Sequence, residues 1–291
     1  MSWFLKKDDV QVRRFRNRAV LEELTAVIAT DTGNVRINNE DGAVISFAED
    51  PLQKNKGCLL ALADGMGGHN SGEVASEIAL TVFTDAYFNQ RGNICKSLKY
   101  ALKKANQAVF DASLSDPQYA GMGTTITAVV IRGSSIFLAH VGDSRAYVLG
   151  KDSFLRLSKD QTVVQQLVDM GQITEDQAAS HPERNVLLSA LGTKPLVNGD
   201  VLKADISFDT GNTLLLCSDG LYDLVADEDI TAIISASENI SAAADRLVAE
   251  AKKRGGHDNI TVLLATREEQ SSIPRLKSTR DIEISLITKE T

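Results

Sequence analysis

The stretch that most constrains this chain is an apolar run that ends in an aspartate and a glycine-rich turn. Residues 59–63 have the length and composition of a buried strand, and Asp64 follows them directly. Gly65, Gly67 and Gly68 come next, and glycine permits a positive φ or a close backbone approach. The pattern predicts a carboxylate that leaves a sheet at an unobstructed turn, although one Asp-Gly pair alone is more often an ordinary turn.

Five more acidic residues stand at the ends of strand-like apolar runs. Asp143 and Asp219 follow such runs. Three others precede them: Glu40, Asp41 and Asp258. Because the end of one antiparallel strand lies beside the start of its neighbour, all six acids can gather at one edge of a sheet. Each acid alone fits an exposed turn, but the repetition favours a shared site.

A gathered set of carboxylates requires cations, because the charges repel and raise one another's pKa values. Oxygen ligands suit Mg²⁺ or Mn²⁺, and Cys and His residues do not cluster as zinc would require. Two such ions can bind a hydroxide between them and stabilise the oxygens of a displacement at phosphorus. Arg36, four residues before Glu40, adds a planar cation suited to phosphate oxygens.

Strand-like and helical segments occur in groups rather than as strict βαβ units. Helical spacing is predicted over 71–88 and 94–113, and three or four antiparallel strands over 123–158. Thr174 and Gln177 form a capping-box pattern for a later short helix. This grouping predicts antiparallel sheets covered by helices.

Composition favours a cytoplasmic protein that binds neither nucleic acid nor a membrane. The net charge is −8 and the pI about 5.1, which disfavours binding to polyanions. No apolar run approaches the ~18 residues that span a bilayer, and the first residues lack a hydrophobic signal core. The cysteines Cys58, Cys95 and Cys217 form no CxxC pair, as expected of core residues in a reducing compartment.

The chain divides into a body and two polar extensions. Residues 1–21 form a basic arm, 22–267 the folded domain, and 268–291 a polar tail. The arm is interpreted as an exposed, solvated tail or as a helix packed across the body, and an electrostatic contact with a partner is the less favoured alternative. Within the tail, residues 282–287 are interpreted as an edge strand or a partner-binding segment.

Six sequence blocks identify a family resemblance. They are RINNED at 36–41, ADGMGGH at 63–69, GMGTT at 121–125, VGDSR at 141–145, SDG at 218–220 and HDNIT at 257–261. Their order resembles that of the metal-dependent Ser/Thr protein phosphatases of the PPM, or PP2C, class. The similarity covers about residues 22–267, and residues 170–185 resemble the bacterial branch.

The resemblance implies an α+β fold of four layers (αββα), in which a central sandwich of two antiparallel sheets is flanked by helix pairs. It also implies hydrolysis of phosphoserine and phosphothreonine by a hydroxide that bridges two Mn²⁺ or Mg²⁺ ions, without a phosphoenzyme. The implied partners are phosphoproteins modified by a cognate Ser/Thr kinase, and the implied state is a monomer. Residues 163–192 correspond to a mobile flap that admits substrates.

The resemblance also assigns the metal ligands. Asp64 would bridge two ions, and the Gly65 carbonyl would bind the first. Asp219 and Asp258 would hold the second. Bacterial members take a third ion, which would involve Asp143 and Asp219.

Two further acids and one arginine receive supporting roles by the same resemblance. Glu40 would be a direct or water-mediated ligand, and Asp41 would orient bound water. Arg36 would clamp the substrate phosphate.

The chain departs from some relatives at two positions. Met66 stands where some place a proton-donating histidine, and a thioether cannot donate. A metal-bound water or His69 is left as the donor. Gln161 replaces a histidine found in many relatives, which puts local stabilisation in doubt more than activity.

Two other functions remain open at this point. One is a catalytically silent regulator of the same fold that binds phosphoproteins, although such proteins usually lose metal ligands that this chain keeps. The other is a two-metal hydrolase for a different phosphoester. The acidic charge and the lack of an aromatic and basic strip disfavour nucleic acid as its substrate.

Overall fold

The computed structural model describes residues 18–21, 24–47, 55–68, 71–151 and 153–267. His69, residues 1–17 of the predicted arm and the whole predicted tail lie outside the described residues. The four residues 18–21 form a strand, although the sequence analysis places them in the arm. No helix of the described residues is long and apolar enough to cross a bilayer.

Two antiparallel sheets form the centre of the molecule. The first contains, in spatial order, β1 (Arg18–Leu21), β2 (Leu24–Asp31), β12 (Ile260–Arg267), β11 (Thr213–Cys217), β8 (Arg145–Leu149) and β9 (Phe154–Arg156). The second contains β10 (Asp200–Ser207), β7 (Ser135–Val141), β6 (Ile126–Arg132), β4 (Cys58–Met66) and β3 (Asp41–Phe47), and β5 (Gly123–Thr124) pairs with β4. Strands from both ends of the chain are therefore neighbours within one sheet.

Helices connect the strands, and the longer ones cover the outer faces of the two sheets. They are α1 (Ser71–Asn89), α2 (Ile94–Ser115), α3 (Val163–Asp169), α4 (Glu175–Ala179), α5 (Asp219–Tyr222), α6 (Asp227–Ser235) and α7 (Ile240–Lys253). The predicted capping box of α4 is present, with Thr174 and Gln177 exchanging hydrogen bonds. The single turn α5 has no counterpart in the sequence analysis, because four residues are too few to show helical periodicity.

Strand β4 explains why residues 59–63 read as one continuous apolar run. Leu59, Ala61 and Ala63 join the core beneath α1 and α2. Leu60 and Leu62 face the other way and pack between the two sheets. A strand buried on both faces cannot alternate apolar with polar residues.

A third core lies between the first sheet and helices α6 and α7. Leu264 of β12 packs there with Ile234 and Leu247. The order of layers is thus α1 and α2, second sheet, first sheet, α6 and α7. The predicted four-layer α+β fold is confirmed.

Candidate metal centre

Two of the predicted acids face each other across neighbouring strands. Asp41 of β3 lies directly opposite Asp64 of β4. Like charges in opposed positions destabilise a strand pair. A positive charge nearby would therefore stabilise the ionised pair.

Three more acids reach the same place from other elements. Asp219 is the first residue of α5 and lies two residues after the end of β11, and Asp258 lies two residues before β12. Asp143 lies between β7 and β8, where the chain passes from the second sheet to the first. Burial is the largest cause of the raised pKa of Asp64. The next causes, in order of decreasing size, are the charges of Asp41, Asp219, Asp143 and Asp258. The structure thus brings five predicted acids together.

The ionised forms of these acids are disfavoured without a cation. Burial and neighbouring carboxylates raise the pKa values of Asp64 and Asp219 well above the ordinary value. Burial raises the pKa of Asp41 to about 6, although hydrogen bonds from Thr261 and Ser218 oppose the change. Burial, followed by the charge of Asp160, raises the pKa of Asp143 to about 7. A bound cation would reverse these shifts, because it favours the charged carboxylate.

One carboxylate oxygen within the cluster has no hydrogen-bond partner. The Ser218 hydroxyl donates to Asp41 Oδ2 at 2.7 Å and accepts from Thr261 N at 3.0 Å. Asp41 Oδ1 is buried and unpartnered. Such an atom is costly to bury, so its surroundings suit a cation or the water that a cation carries.

The side chains do not already form a closed cage of ligands. Over the described ranges, no three His, Cys, Asp or Glu residues are arranged to hold a metal ion. The case for a metal centre therefore rests on the donor chemistry: oxygen donors only, mutual repulsion and an unsatisfied buried carboxylate oxygen.

Hydroxyl groups connect Asp64 to the turn that carries Asp143. Thr125 Oγ1 accepts from Asp64 N at 2.9 Å, and Thr125 N donates to Asp64 O at 2.9 Å. The hydroxyls of Thr125 and Ser144 lie 2.7 Å apart. The backbone at Asp64 and the residue after Asp143 are therefore held in one network.

The glycines after Asp64 allow close packing. A Cβ at Gly65 would overlap Gly72 O and lie 2.6 Å from Glu40 O. A Cβ at Gly72 would lie 2.7 Å from the Glu40 carboxyl group. None of the three glycines Gly65, Gly67 and Gly68 has a positive φ. Of the two predicted reasons for glycine, the close approach applies to Gly65.

Arg36 lies at the rim of the cluster. Its Nη2 is 2.7 Å from Asp258 Oδ2, and Asn259 N donates to Asp258 Oδ1 at 2.8 Å. The Arg36 and Asp258 side chains are 49% and 36% exposed. The predicted phosphate clamp therefore contacts a predicted metal ligand at a solvent-accessible position.

The turn at Asp143 is held by Tyr222, whose ring stacks against the Arg145 guanidinium. The Tyr222 hydroxyl donates to Asp143 O at 3.2 Å. The Arg145 guanidinium lies 3.5 Å from the centre of the Tyr222 ring and 2.8 Å from Asp160. Arg156 also pairs with Asp160. Arg145 thus supports the turn and is neutralised by another acid.

Gln161 anchors the start of the predicted flap. Its Oε1 accepts from Gly142 N at 3.2 Å, and its Nε2 donates to Asp200 at 2.9 Å. Its carbonyl accepts from Leu188 N at 2.8 Å. The Gln161 amide therefore makes contacts on both of its sides.

Sequence reasoning missed the polar residues that hold the acids. Ser218 fixes Asp41, and Thr125 fixes Asp64. Asn259 accepts from Glu40 N at 2.8 Å and donates to the Thr32 and Asn38 carbonyls. Ser218 and Asn259 adjoin predicted ligands in sequence, which was the available signal. Their individual partners lie 177 and 219 residues away and could not be inferred.

Comparison with known proteins identifies similar sequences. A family model described as Protein phosphatase 2C matches residues 46–257. A serine/threonine phosphatase stp of Listeria innocua is 36% identical over 83% of this chain and 95% of its own length. The serine/threonine protein phosphatase PstP of Mycobacterium tuberculosis is 39% identical over 81% of this chain and 43% of its own.

The fold is likewise similar to a solved structure. The catalytic domain of a serine/threonine protein phosphatase PstP, in complex with two manganese ions, matches with a TM-score of 0.71 and 36% identity. The match covers 85% of this chain and 99% of that domain. The family-model match contains Asp64, Asp143, Asp219 and the segment 163–192, whereas Asp41 lies before its first residue and Asp258 directly after its last.

Proposed function

The chain belongs to the protein phosphatase 2C family and is a serine/threonine protein phosphatase, and we propose that the acidic cluster is its catalytic centre. Phosphoproteins are therefore its substrates. The manganese-bound relative supports a requirement for divalent cations. The observation that carries the proposal is the convergence of buried acids from both sheets, whose charges raise one another's pKa values.

The oxygen donors divide into three groups. Asp64 and the Gly65 carbonyl would bind the first of two Mn²⁺ or Mg²⁺ ions, with Asp64 shared between both. Asp219 and Asp258 would hold the second, with Glu40 as a direct or water-mediated partner. Asp143, together with Asp219, would complete a third site.

When bound, these cations would supply a strong nucleophile at neutral pH and neutralise charge on the phosphoryl oxygens. Asp41 would hold and orient the attacking water, because Ser218 occupies its Oδ2 and leaves the buried Oδ1 as a free acceptor. Arg36 would exchange its contact with Asp258 for the phosphate, to which a guanidinium can donate two parallel hydrogen bonds. His69, as the possible proton donor, stays a prediction.

The surroundings of the site extend the proposal. Residues 163–192 would form the segment that admits the phosphorylated part of the substrate. We also propose that the enzyme is a monomer that opposes a Ser/Thr kinase. Three free cysteines, two of them buried, support the proposal of a cytoplasmic location. The alternative of a catalytically silent regulator is not favoured, because the similar proteins are named phosphatases.

The test is a Mn²⁺ titration of hydrolysis with three substrates: a phosphothreonine peptide, a phosphotyrosine peptide and p-nitrophenyl phosphate. We expect metal-dependent activity with preference for phosphothreonine over phosphotyrosine. Asp219→Asn should abolish it while circular dichroism shows an intact fold. Asp205→Asn, an exposed position on β10, is the matched control and should retain activity. Normal turnover by Asp219→Asn, or activity without divalent ions, would contradict the proposal.

A further inference from the structure

We propose that Val35 and Ile37 form an apolar lip that binds apolar residues flanking the phosphorylated serine or threonine of the substrate. The inference rests on the proposed function and deepens it, since it specifies which phosphoproteins the site prefers. Val35 is 65% exposed and Ile37 is 93% exposed. Arg36, the predicted phosphate clamp, stands between them.

The lip lies in a loop that is braced at both ends. Asn34 N donates to Gly256 O at 2.7 Å, and the Asn34 side chain donates to Lys252 O at 2.8 Å. At the other end, the Asn259 side chain donates to Asn38 O at 2.9 Å. None of these bonds involves a side chain of the lip. A loop held in this way can present two apolar side chains without depending on them for its own structure.

The lip side chains also take no part in the described cores. Neither residue packs in any of the three hydrophobic clusters. Their loop neighbours include four polar residues, as surface connections usually do: Thr32, Asn34, Asn38 and Asn39. Singly exposed apolar residues are common. These two, however, are the sequence neighbours of Arg36, which contacts Asp258 of the acidic cluster.

Chain geometry keeps the lip close to the proposed phosphate site. The Cα atoms of residues 35 and 37 are each ~3.8 Å from that of residue 36. Arg36 Nη2 reaches Asp258, and the charges of Glu40 and Asp64 act on its guanidinium. A phosphorylated side chain that binds Arg36 would therefore bring its neighbouring residues close to the lip. Apolar neighbours would bury surface there, whereas acidic neighbours would meet the carboxylates of the cluster.

The experiment compares two phosphothreonine peptides that differ only beside the phosphothreonine. One carries Leu and Ile at the flanking positions, and the other carries Ser and Gln. The wild-type protein should prefer the apolar peptide by about tenfold in kcat/KM, or about 1.4 kcal/mol. The double variant Val35→Ser/Ile37→Ser should reduce this ratio to about one, mainly through KM. The ratio cancels any loss of activity that is common to both peptides.

Phe47→Ser serves as the matched control. Phe47 is also exposed, but it ends β3 six residues beyond Asp41, which places it about 20 Å along the strand. This variant should keep the wild-type ratio.

Two results would overturn the proposal: an equal kcat/KM for both peptides with wild-type protein, or an unchanged preference in the double variant. Failure of the proposed function looks different, because the wild type would then hydrolyse neither the peptides nor p-nitrophenyl phosphate with Mn²⁺. That result would contradict both proposals, the catalytic centre and the apolar lip.

Discussion

The acidic cluster has a buried half and an exposed rim, and they differ in how charge is balanced. In the buried half, Asp41 and Asp64 oppose each other, and burial and like charges raise their pKa values. The Ser218 hydroxyl, a neutral group, donates to the Asp41 carboxylate. At the rim, Asp258 is paired with Arg36, and both side chains contact solvent.

The difference indicates that the buried half and the rim have different roles. A buried carboxylate pair without a cationic side chain requires an external cation before both groups can ionise. An exposed ion pair contributes little to stability and can exchange partners at low cost. The buried half is therefore suited to hold metal, and the rim to receive a phosphate. Three predictions test this contrast, from the largest expected effect to the smallest.

Asp64→Asn should have the largest effect on activity. Replacing the shared carboxylate should lower kcat/KM for a phosphothreonine peptide by at least ~1000-fold, because the metals supply several kcal/mol of transition-state stabilisation. In EDTA the same change should raise the urea midpoint of unfolding, since it removes a carboxyl group whose ionisation is disfavoured by burial and by the neighbouring acids. Asp205→Asn should alter neither quantity. A variant that keeps normal turnover would show that the buried half does not hold the metals.

Arg36→Lys should have an intermediate effect that is confined to substrate recognition. Lysine keeps the charge but loses the planar fork, so kcat/KM for the phosphopeptide should fall by roughly tenfold. The free energy of unfolding should stay within ~0.5 kcal/mol of the wild-type value, because the pair with Asp258 is exposed. Arg91→Lys, an exposed residue two positions beyond the far end of α1, is the control. A stability loss as large as the kinetic loss would place Arg36 in the buried half.

The pH dependence of stability should show the smallest effect. The pKa of Asp41 rises from 3.8 to about 6 on folding, so the folded state binds this proton more tightly than the unfolded state. The associated penalty is absent below about pH 4, grows as pH rises, and is complete above about pH 6. Between pH 5 and pH 8 in EDTA, the wild type should lose on the order of 1 kcal/mol relative to Asp41→Asn.

Urea unfolding of both proteins at the two pH values measures this difference. Saturating Mn²⁺ should cancel or reverse it, because a cation favours the ionised carboxylate. Parallel stability curves in EDTA would mean that Asp41 is not desolvated on folding, and the distinction between the two halves would weaken.

Much of the secondary structure was predictable from local patterns. The helices over 71–88 and 94–113 were expected within two residues of their observed ends, because helical periodicity and caps are encoded locally. The capping box at Thr174 was readable for the same reason. The strand at Arg18–Leu21 was missed, because four residues next to basic side chains carry too little periodicity.

The candidate site was predictable at the level of residue types and of one strand pair. Antiparallel pairing was expected to bring acids at strand ends together, and Asp41 does lie opposite Asp64. The contact of Arg36 with Asp258 was not expected, since it depends on where a loop after β2 meets the residue before β12. His69 lies outside the described residues.

The amino-acid sequence by itself determined which donors are available, their order along the chain and their positions at the ends of apolar strands. It also determined the family, because six short blocks preserve residues that the chemistry requires. Only the tertiary structure decided which acids are buried and which are paired. Those properties arise where the two sheets meet, through contacts such as Ser218 with Asp41 and Asn259 with Glu40. Such contacts join residues roughly two hundred positions apart, and local sequence patterns carry no information about them.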